Sequence, residues 1–277
     1  MSYVTANGIK MHYWQVGEGP DLVLIHGMAG NLALWHLFLV PELRKYFRVT
    51  TYDIRGHGRT EVPPTGYTTR DLAHDLVALM DALDIEVAHL MGHSVGADIA
   101  LHTALIRPER VDSLVLIEAG IPALVNERKK SDWEGWRYWA ETIEQFTGIQ
   151  IPREKWTDLG YMVKMSAQVP IVFGPARGRP RNTEMVERLL DETTLIADYE
   201  VVHEMTLENL PTIPHRKLLV YDDESPYRHS YDALATLLTH CTPVLLPPSE
   251  HSHFGPLTQP EALLGLMGEF FGLAAPA

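Results

Sequence analysis

The chain has one cysteine, few basic residues and no long hydrophobic run, and each shortage excludes a class of protein. With Cys241 as its single cysteine, the 277-residue chain cannot form an internal disulfide. Its 23 lysines and arginines are outnumbered by 36 aspartates and glutamates, which gives a formal net charge of −13. A nucleic-acid partner needs a basic surface that releases counterions, so we expect no nucleic-acid binding.

Long hydrophobic stretches are absent from the sequence. No run approaches the roughly 20 apolar residues of a transmembrane helix. The first residues, Met1 to Val4, lack the basic start and apolar stretch of a secretory signal. An apolar content of 45% and a charged content of 21% are typical of a globular domain. These features predict a protein that is not embedded in a membrane and is cytoplasmic.

Short apolar runs alternate with segments of helical periodicity over much of the chain. Asn7-Gly8 lies between two strand-like runs and predicts a tight hairpin. The pattern predicts further strands over residues 21–25, 47–52, 87–92, 111–117, 216–221 and 243–246, and helices over residues 34–45, 68–83, 95–106, 231–240 and 260–271. This alternation predicts an α/β fold with a mostly parallel sheet, flanked by helices, whose sites lie at the carboxyl ends of the strands.

The alternation stops between residues 119 and 208, where the chain is predicted to be largely helical. We interpret this segment as a cap inserted after the sixth strand, which divides the core domain into residues 1–118 and 209–277. Four of the six tryptophans lie in the cap. Trp133, Trp136 and Trp139 are candidates for substrate binding in an apolar pocket. The alternative for each is that its ring only packs the cap onto the core.

Residues 92–96, Gly-His-Ser-Val-Gly, follow an apolar strand and precede a helix. Gly92 and Gly96 let neighbouring backbone pass without a Cβ clash, so Ser94 is expected on a sharp turn between strand and helix. The N-terminal N–H groups of that helix point at any anion that forms beside the serine. The pattern also occurs by chance in glycine-rich loops, but the flanking strand and helix favour a nucleophile.

Four motifs together resemble the α/β-hydrolase fold superfamily, and the resemblance extends over essentially the whole chain apart from the cap. They are His26-Gly27, residues 53–58 (Asp-Ile-Arg-Gly-His-Gly), residues 92–96, and residues 253–257 (His-Phe-Gly-Pro-Leu) followed by Gln259-Pro260-Glu261. The motifs are highly specific for the fold and weakly specific for the substrate. The resemblance implies an esterase- or lactonase-like serine hydrolase with a catalytic triad and a cap.

This resemblance also implies the role of each site residue. Ser94 is the nucleophile, and His253 is the general base that later returns the proton to the leaving group. The backbone N–H groups of Met28 and Val95 form the oxyanion hole. Gly27, in the same loop as Met28, contributes to substrate binding.

Several other histidines lie in or beside these motifs. His251, two residues before His253, is the competing base, and the family pattern favours His253 because it places histidine directly before phenylalanine. The remaining ones are interpreted as turn residues without a chemical role: His26, His57 and His93.

The acid that orients His253 has two candidate positions. Many relatives place an aspartate after the seventh strand, where this chain has residues 221–226 (Tyr-Asp-Asp-Glu-Ser-Pro) and Asp222 replaces the usual glycine. Other relatives, among them haloalkane dehalogenases and some lactone hydrolases, carry the acid after the sixth strand, where this chain has Glu118. We favour Glu118, with Glu224 and then Asp223 as the alternatives.

The residue at position 94 narrows the expected chemistry. Dehalogenases and epoxide hydrolases of this fold carry aspartate where this chain carries Ser94, which disfavours both reactions. The expected activity is hydrolysis of a carboxylic ester or lactone of a small, largely apolar substrate, without a metal or organic cofactor. The alternatives are carbon–carbon bond hydrolysis of the meta-cleavage type and a non-catalytic fold that binds a small ligand.

Overall fold

Eight strands form one sheet in the computed structural model, which describes residues 2–37, 39–128, 133–170 and 183–273, without the side chains of residues 126–128. The strands are β1 (Ser2–Ala6), β2 (Ile9–Val16), β3 (Asp21–Ile25), β4 (Arg48–Tyr52), β5 (Ala88–His93), β6 (Val111–Ile117), β7 (Arg216–Asp222) and β8 (Cys241–Leu246). Their order across the sheet is β1-β2-β4-β3-β5-β6-β7-β8. The pairings β1–β2 and β2–β4 are antiparallel, and the other five are parallel, which confirms the mostly parallel sheet.

The first two strands form the predicted hairpin. Ala6 pairs with Ile9 across the turn. Asn7 and Gly8 have φ angles of 46° and 75°, the two positive values that a type I′ turn requires. At the opposite edge, β8 contains Pro243, which an edge strand tolerates because one side of its backbone has no strand partner.

Helices cover the sheet and form the inserted segment. The α-helices of the described residues are α1 (Ala33–His36), α2 (Val40–Leu43), α3 (Thr69–Ala82), α4 (Val95–Ile106), α5 (Pro122–Arg128), α6 (Glu134–Thr147), α7 (Leu159–Ser166), α8 (Thr183–Glu192), α9 (Leu195–Tyr199), α10 (Arg228–Leu237), α11 (Gly255–Thr258) and α12 (Pro260–Phe271). Helices α5 to α9 lie between β6 and β7, within the segment predicted to be largely helical, and the role of this segment as a cap stays a prediction. No helix among the described residues is long and apolar enough to cross a membrane.

The single helix predicted over residues 34–45 is wrong. The structure has two short helices there, α1 and α2, and Pro41 lies in the first turn of the second. Proline has no N–H to donate to the preceding turn, and it disfavours helical backbone at the residue before it. A helix therefore starts at this position more readily than it continues through it.

Both faces of the sheet are apolar, as parallel strands require when helices cover both sides. In β3, Leu22 and Leu24 join a buried cluster that includes Met267 of α12. The alternate residues, Val23 and Ile25, join the cluster on the other face, which includes residues of α3 and α4. The protein core is therefore split into two layers by the sheet.

The strand register brings the carboxyl ends of the central strands to one edge of the sheet. Ile25 of β3 pairs with Gly92 of β5, and Ile117 of β6 pairs with His93 and Val220 on its two sides. The loops that follow β3, β5, β6 and β7 consequently start at the same level. Sites in sheets of this kind form at such an edge.

Candidate active site

Ser94 lies on a tight turn between β5 and α4. Its φ of 56° and ψ of −127° form a backbone conformation that non-glycine residues rarely adopt. A Cβ on Gly92 would lie 2.2 Å from the carbonyl of Gly96, and a Cβ on Gly96 would lie 2.1 Å from the oxygen of Ile25. The Ser94 N–H donates to the oxygen of Ile117 at 2.8 Å, which fixes the turn to the neighbouring strand. Close backbone packing thus explains both glycines of the motif.

The side chains of His253 and Glu118 form a hydrogen bond at this edge of the sheet. The distance between His253 Nδ1 and Glu118 Oε2 is 3.2 Å. Glu118 directly follows β6, and its side chain is fully buried. His253 lies in the short 3₁₀ turn Ser252–Phe254, and 18% of its side chain is exposed. With Nδ1 facing a carboxylate, Nε2 is the ring nitrogen available for proton transfer.

The last residue of β7 and the loop that follows it hold the carboxylate of Glu118. The Ser225 hydroxyl donates to Oε2 at 2.5 Å, and the Asp222 N–H donates to Oε1 at 2.8 Å. Burial raises the pKa of Glu118 well above its ordinary value, and these two donors act in the opposite direction. The hydroxyl and the amide therefore stabilise the charged form that a histidine partner needs.

Asp222, the last residue of β7, connects this end of the sheet to the loop that carries His253. Its carboxylate accepts hydrogen bonds from the N–H groups of Glu224 and Ser249, each at 2.9 Å. A Cβ on Gly255 would lie 2.1 Å from Asp222 Oδ2, so glycine is required by the close approach of the two loops. The carboxylate at position 222 therefore fixes the backbone around the histidine.

His93 supports the same loop from the other side. Its Nε2 donates to the backbone oxygen of His253 at 2.9 Å, and the centroids of the two rings lie 4.9 Å apart. The residue before the serine therefore sets the position of the residue predicted to activate that serine. The competing base, His251, lies at the start of the 3₁₀ turn, where its backbone N–H donates to Ser249 Oγ at 3.2 Å.

The alternative acids lie away from this arrangement. Glu224 and Asp223 are both exposed. Asp223 forms an ion pair with Arg228, with Oδ1 2.6 Å from Nη1. The carboxylate that contacts the imidazole of His253 is that of Glu118.

Gly27 and Met28 lie on the loop after β3, directly against the serine turn. A Cβ on Gly27 would lie 3.0 Å from Ser94 Cβ, so a larger residue would push this loop away from the serine. Val95 is the first residue of α4, and its N–H has no acceptor within the helix. The two segments that carry the predicted oxyanion donors therefore meet at Ser94.

A buried histidine maintains the shape of this loop. His26 Nδ1 donates to the oxygen of Gly27 at 2.8 Å, and its Nε2 accepts from the N–H of Ile54 at 3.1 Å. Burial lowers the pKa of His26, in keeping with the neutral ring that these two bonds require. As predicted, His26 is a structural residue of the turn.

The three tryptophans predicted to bind substrate form a row of rings in the cap. Trp133 and Trp136 lie 4.9 Å apart, and Trp136 and Trp139 lie 6.1 Å apart, between ring centroids. Trp133 also contacts Tyr227 at 5.3 Å, and the Tyr227 ring lies 4.6 Å from that of His253. Trp133 is thus the tryptophan at the end of the row that leads to the imidazole, and the other two pack within the cap.

Sequence reasoning did not predict the contacts by which four residues shape the site: Asp222, Ser225, Tyr227 and His93. Three of them lie at the end of β7 or in the loop that follows it, where the sequence drew attention to the carboxylates alone. Ser225 carries a hydroxyl in a loop that was expected near the catalytic acid, and this could have indicated that it donates to the acid. Nothing in the sequence distinguishes His93 as a support for the histidine loop.

A cavity of about 510 Å³ lies elsewhere in the cap, between α7, α8 and α9. None of the predicted site residues lines it. No group of three or more histidine, cysteine, aspartate or glutamate side chains placed to hold a metal ion occurs among the described residues.

Comparison with known proteins identifies the family and related sequences. Residues 20–193 match the family model of the alpha/beta hydrolase fold. Epoxide hydrolase 3 of Siraitia grosvenorii is 40% identical over 114 residues, which cover 40% of this chain and 36% of that protein. The putative carbamate hydrolase RutD of Pseudomonas syringae pv. syringae is 41% identical over 111 residues, which cover 40% of this chain and 42% of that protein. These matches span less than half the length of either relative.

A solved structure extends the likeness to nearly the whole chain. Est816, described as an N-acyl homoserine lactone degrading enzyme, superposes with a TM-score of 0.67 and 23% sequence identity, over 97% of this chain and 100% of that one. At this identity the likeness concerns the fold.

Proposed function

Because the chain belongs to the alpha/beta hydrolase fold family, we propose that it is a serine hydrolase that cleaves a carboxylic ester or lactone through an acyl-enzyme on Ser94. The observation that carries the proposal is the hydrogen bond between His253 and the buried Glu118, at the sheet edge where Ser94 lies on its turn. A serine hydroxyl is a poor nucleophile at neutral pH and needs a base oriented in this way.

The proposed reaction has two halves. In the first, His253 Nε2 removes the hydroxyl proton of Ser94 while Oγ attacks the carbonyl carbon, and the N–H groups of Met28 and Val95 stabilise the oxyanion. The intermediate collapses, and the imidazolium gives its proton to the departing alcohol. In the second half, His253 removes a proton from water, which attacks the acyl-enzyme. Collapse then releases the acid and returns the proton to Oγ.

The matched relatives bear on the kind of bond that is cleaved. One is named for epoxides and the other for carbamates. Members of this fold that open epoxides carry aspartate at the position of Ser94, whereas a carbamate is attacked at its carbonyl carbon, as an ester is. The serine therefore favours acyl transfer to water.

The aromatic residues of the cap favour a substrate that is small and largely apolar. The row of rings from Trp139 to Trp133 continues through Tyr227 to His253, so apolar surface lies beside the imidazole. Aromatic rings bury large areas of apolar ligand surface. We propose that residues 119–208 act as a cap over the site, with Trp133 as the nearest of the three predicted tryptophans.

Replacement of Ser94 with alanine tests the proposal. Wild-type protein is expected to hydrolyse p-nitrophenyl butyrate and to be labelled by a fluorophosphonate. The Ser94→Ala variant is expected to do neither while retaining its circular dichroism spectrum, because alanine removes the attacking oxygen alone. Ser2→Ala, an exposed serine of β1, serves as the matched control and is expected to behave as wild type.

Two results would contradict this reasoning. Labelling that persists in Ser94→Ala would show that another residue is the nucleophile. Turnover of a vinylogous diketone acid by wild-type protein, without turnover of aryl esters, would instead support the carbon–carbon bond hydrolysis considered from the sequence.

A further inference from the structure

The loop after β6, which carries the proposed acid, has a strained backbone. Glu118 has a φ of 53° and Ile121 a φ of 61°, values in the left-handed region that favours glycine. A side chain branched at Cβ, as in Ile121, is especially rare there. Such conformations persist only where surrounding contacts hold them. The position of the Glu118 carboxylate therefore depends on what holds residues 118–121.

Strand β7 holds the first half of this loop. The Glu118 N–H donates to the oxygen of Val220 at 3.1 Å, and the Tyr221 hydroxyl donates to the oxygen of Ala119 at 2.7 Å. These two bonds fix the start of the loop. They leave the N–H groups of residues 120 and 121 to another acceptor.

Asp98 of α4 is an acceptor for both of these N–H groups. Its Oδ1 accepts from the N–H of Gly120 at 3.0 Å and from the N–H of Ile121 at 3.1 Å. Asp98 is 0% exposed, and both bonds are buried, where an unpaired backbone donor is unfavourable. The Ser230 hydroxyl adds a longer bond, of 3.4 Å, to the oxygen of Gly120. Asp98 therefore restrains the second half of the loop.

Asp98 lies one helical turn after the proposed nucleophile. Ser94 directly precedes α4, and the Asp98 N–H donates to the oxygen of Ser94 at 3.3 Å. The backbone of this turn is fixed by its own hydrogen bonds. The side chain of Asp98 consequently ties the turn that presents Ser94 to the loop that presents Glu118.

We propose that Asp98 is a positioning residue, which holds residues 120 and 121 so that the carboxylate of Glu118 stays within hydrogen-bond distance of His253 Nδ1. The inference rests on the proposed function and adds a residue to it. In this role Asp98 acts through Glu118 and not on the substrate. The alternative is that Asp98 only stabilises the fold at the start of α5.

Two variants of Asp98 test this role. Asp98→Leu removes the acceptor and is expected to lower kcat for p-nitrophenyl butyrate about 10- to 100-fold, because a small displacement near the reacting atoms is costly. Its KM is expected to change little. Asp98→Asn keeps an oxygen that accepts from both N–H groups and is expected to retain most of the wild-type kcat. An unchanged kcat in Asp98→Leu, or an equal fall in Asp98→Asn, overturns the proposal.

Thr103→Val is the matched control, because it removes another buried hydrogen bond of α4, from the Thr103 hydroxyl to the oxygen of Ile99 at 2.8 Å. Its kcat is expected to equal that of wild type. Urea unfolding shows whether each variant is folded at the assay temperature. If Asp98→Leu is not, Asp98→Ala takes its place, since alanine also lacks the acceptor and is smaller.

Combination with Glu118→Gln shows whether Asp98 acts through the acid. If it does, Asp98→Leu lowers kcat less than about twofold further in the Glu118→Gln protein, because the group that Asp98 positions has already been lost. A purely structural role predicts that the two falls in kcat multiply, as they do for independent sites. Multiplication of the two falls overturns the proposal.

The tautomer of His253 distinguishes failure of this inference from failure of the proposed function. If wild-type protein hydrolyses no ester, the proposed function is rejected, and ¹⁵N NMR of the neutral ring becomes the readout, with the signals assigned by their loss in His253→Gln. The Glu118 carboxylate holds the proton on Nδ1, so wild type and Asp98→Asn are expected to show this tautomer. Asp98→Leu is expected to shift the proton towards Nε2. The same tautomer in wild type and Asp98→Leu overturns the inference.

Discussion

Replacing Glu118 with glutamine keeps the shape of the side chain and changes one acceptor oxygen into a donor. Three donors surround the carboxylate: the Asp222 N–H at Oε1, and the Ser225 hydroxyl and His253 Nδ1 at Oε2. If the amide nitrogen takes the Oε2 position, it faces His253 Nδ1 and favours the tautomer with its proton on Nε2, which cannot act as base. If it takes the Oε1 position, it opposes the Asp222 N–H.

Either orientation removes the negative charge that stabilises the imidazolium. In a serine protease the equivalent change lowers kcat by about 10⁴-fold, so we expect a fall of about 10³- to 10⁴-fold here, which corresponds to about 4–5.5 kcal/mol in the activation free energy. The assay is steady-state turnover of p-nitrophenyl butyrate, with urea unfolding to confirm that the variant is folded at the assay temperature.

Glu224→Gln is the matched control, because it makes the same chemical change on an exposed side chain of the neighbouring loop. Its kcat is expected to stay within about twofold of wild type, as for most surface substitutions away from a site. A fall in Glu224→Gln as large as that in Glu118→Gln would refute the assignment of Glu118 as the partner of His253.

Two further predictions concern the loops that meet near Ser94. Since burial lowers the pKa of His57 to about 3, the unfolded chain binds a proton below pH 6.5 that the folded protein excludes, so the free energy of unfolding falls as pH drops from 6.5 towards 3. His57 alone is expected to lower the free energy of unfolding by about 2 kcal/mol between pH 7 and pH 5. Urea titrations at the two pH values are expected to show a smaller fall in His57→Asn than in wild type. An equal fall in the two proteins would contradict a neutral, buried His57 ring. Gly27→Ala is expected to lower kcat/KM about 10-fold, because its Cβ would lie 3.0 Å from Ser94 Cβ and shift the loop of the proposed oxyanion donor Met28 slightly away from the serine. Gly268→Ala, which has open space around its Cβ, is the control, and equal activity of the two variants would show that the loop tolerates the methyl group.

Local sequence signals were sufficient where a residue's conformation is determined by its neighbours along the chain. Asn7-Gly8 predicts its hairpin because a type I′ turn needs two positive φ angles. The glycines around Ser94 predict the sharp turn for a similar reason, and the apolar runs predict the central strands because both faces of the sheet are covered. Pro41 was an equally local signal. It favours the start of a helix over its continuation, which explains why the structure has α1 and α2 where one helix was predicted.

Other features depend on contacts between distant segments. Residues 222–224 are three acidic residues in succession, and the sequence does not indicate that Asp222 is buried against Ser249 and Gly255 while its neighbours are exposed. The hydroxyl of Ser225 meets Glu118 across 107 positions of sequence, a contact that no local pattern encodes. Likewise, the spacing of the cap tryptophans did not indicate which ring lies nearest the imidazole.

The alignment of the central strands has a consequence for biosynthesis. The groups proposed to react are contributed by loops after β3, β5, β6 and β8, so they converge only when the parallel sheet is complete. A nascent chain that has emerged through β6 contains Ser94 but lacks the proposed base, His253, so we expect no ester turnover from it. Recovery of the proposed esterase activity during refolding is accordingly expected to report when the last strand docks, a step that spectroscopic probes of helix content do not isolate.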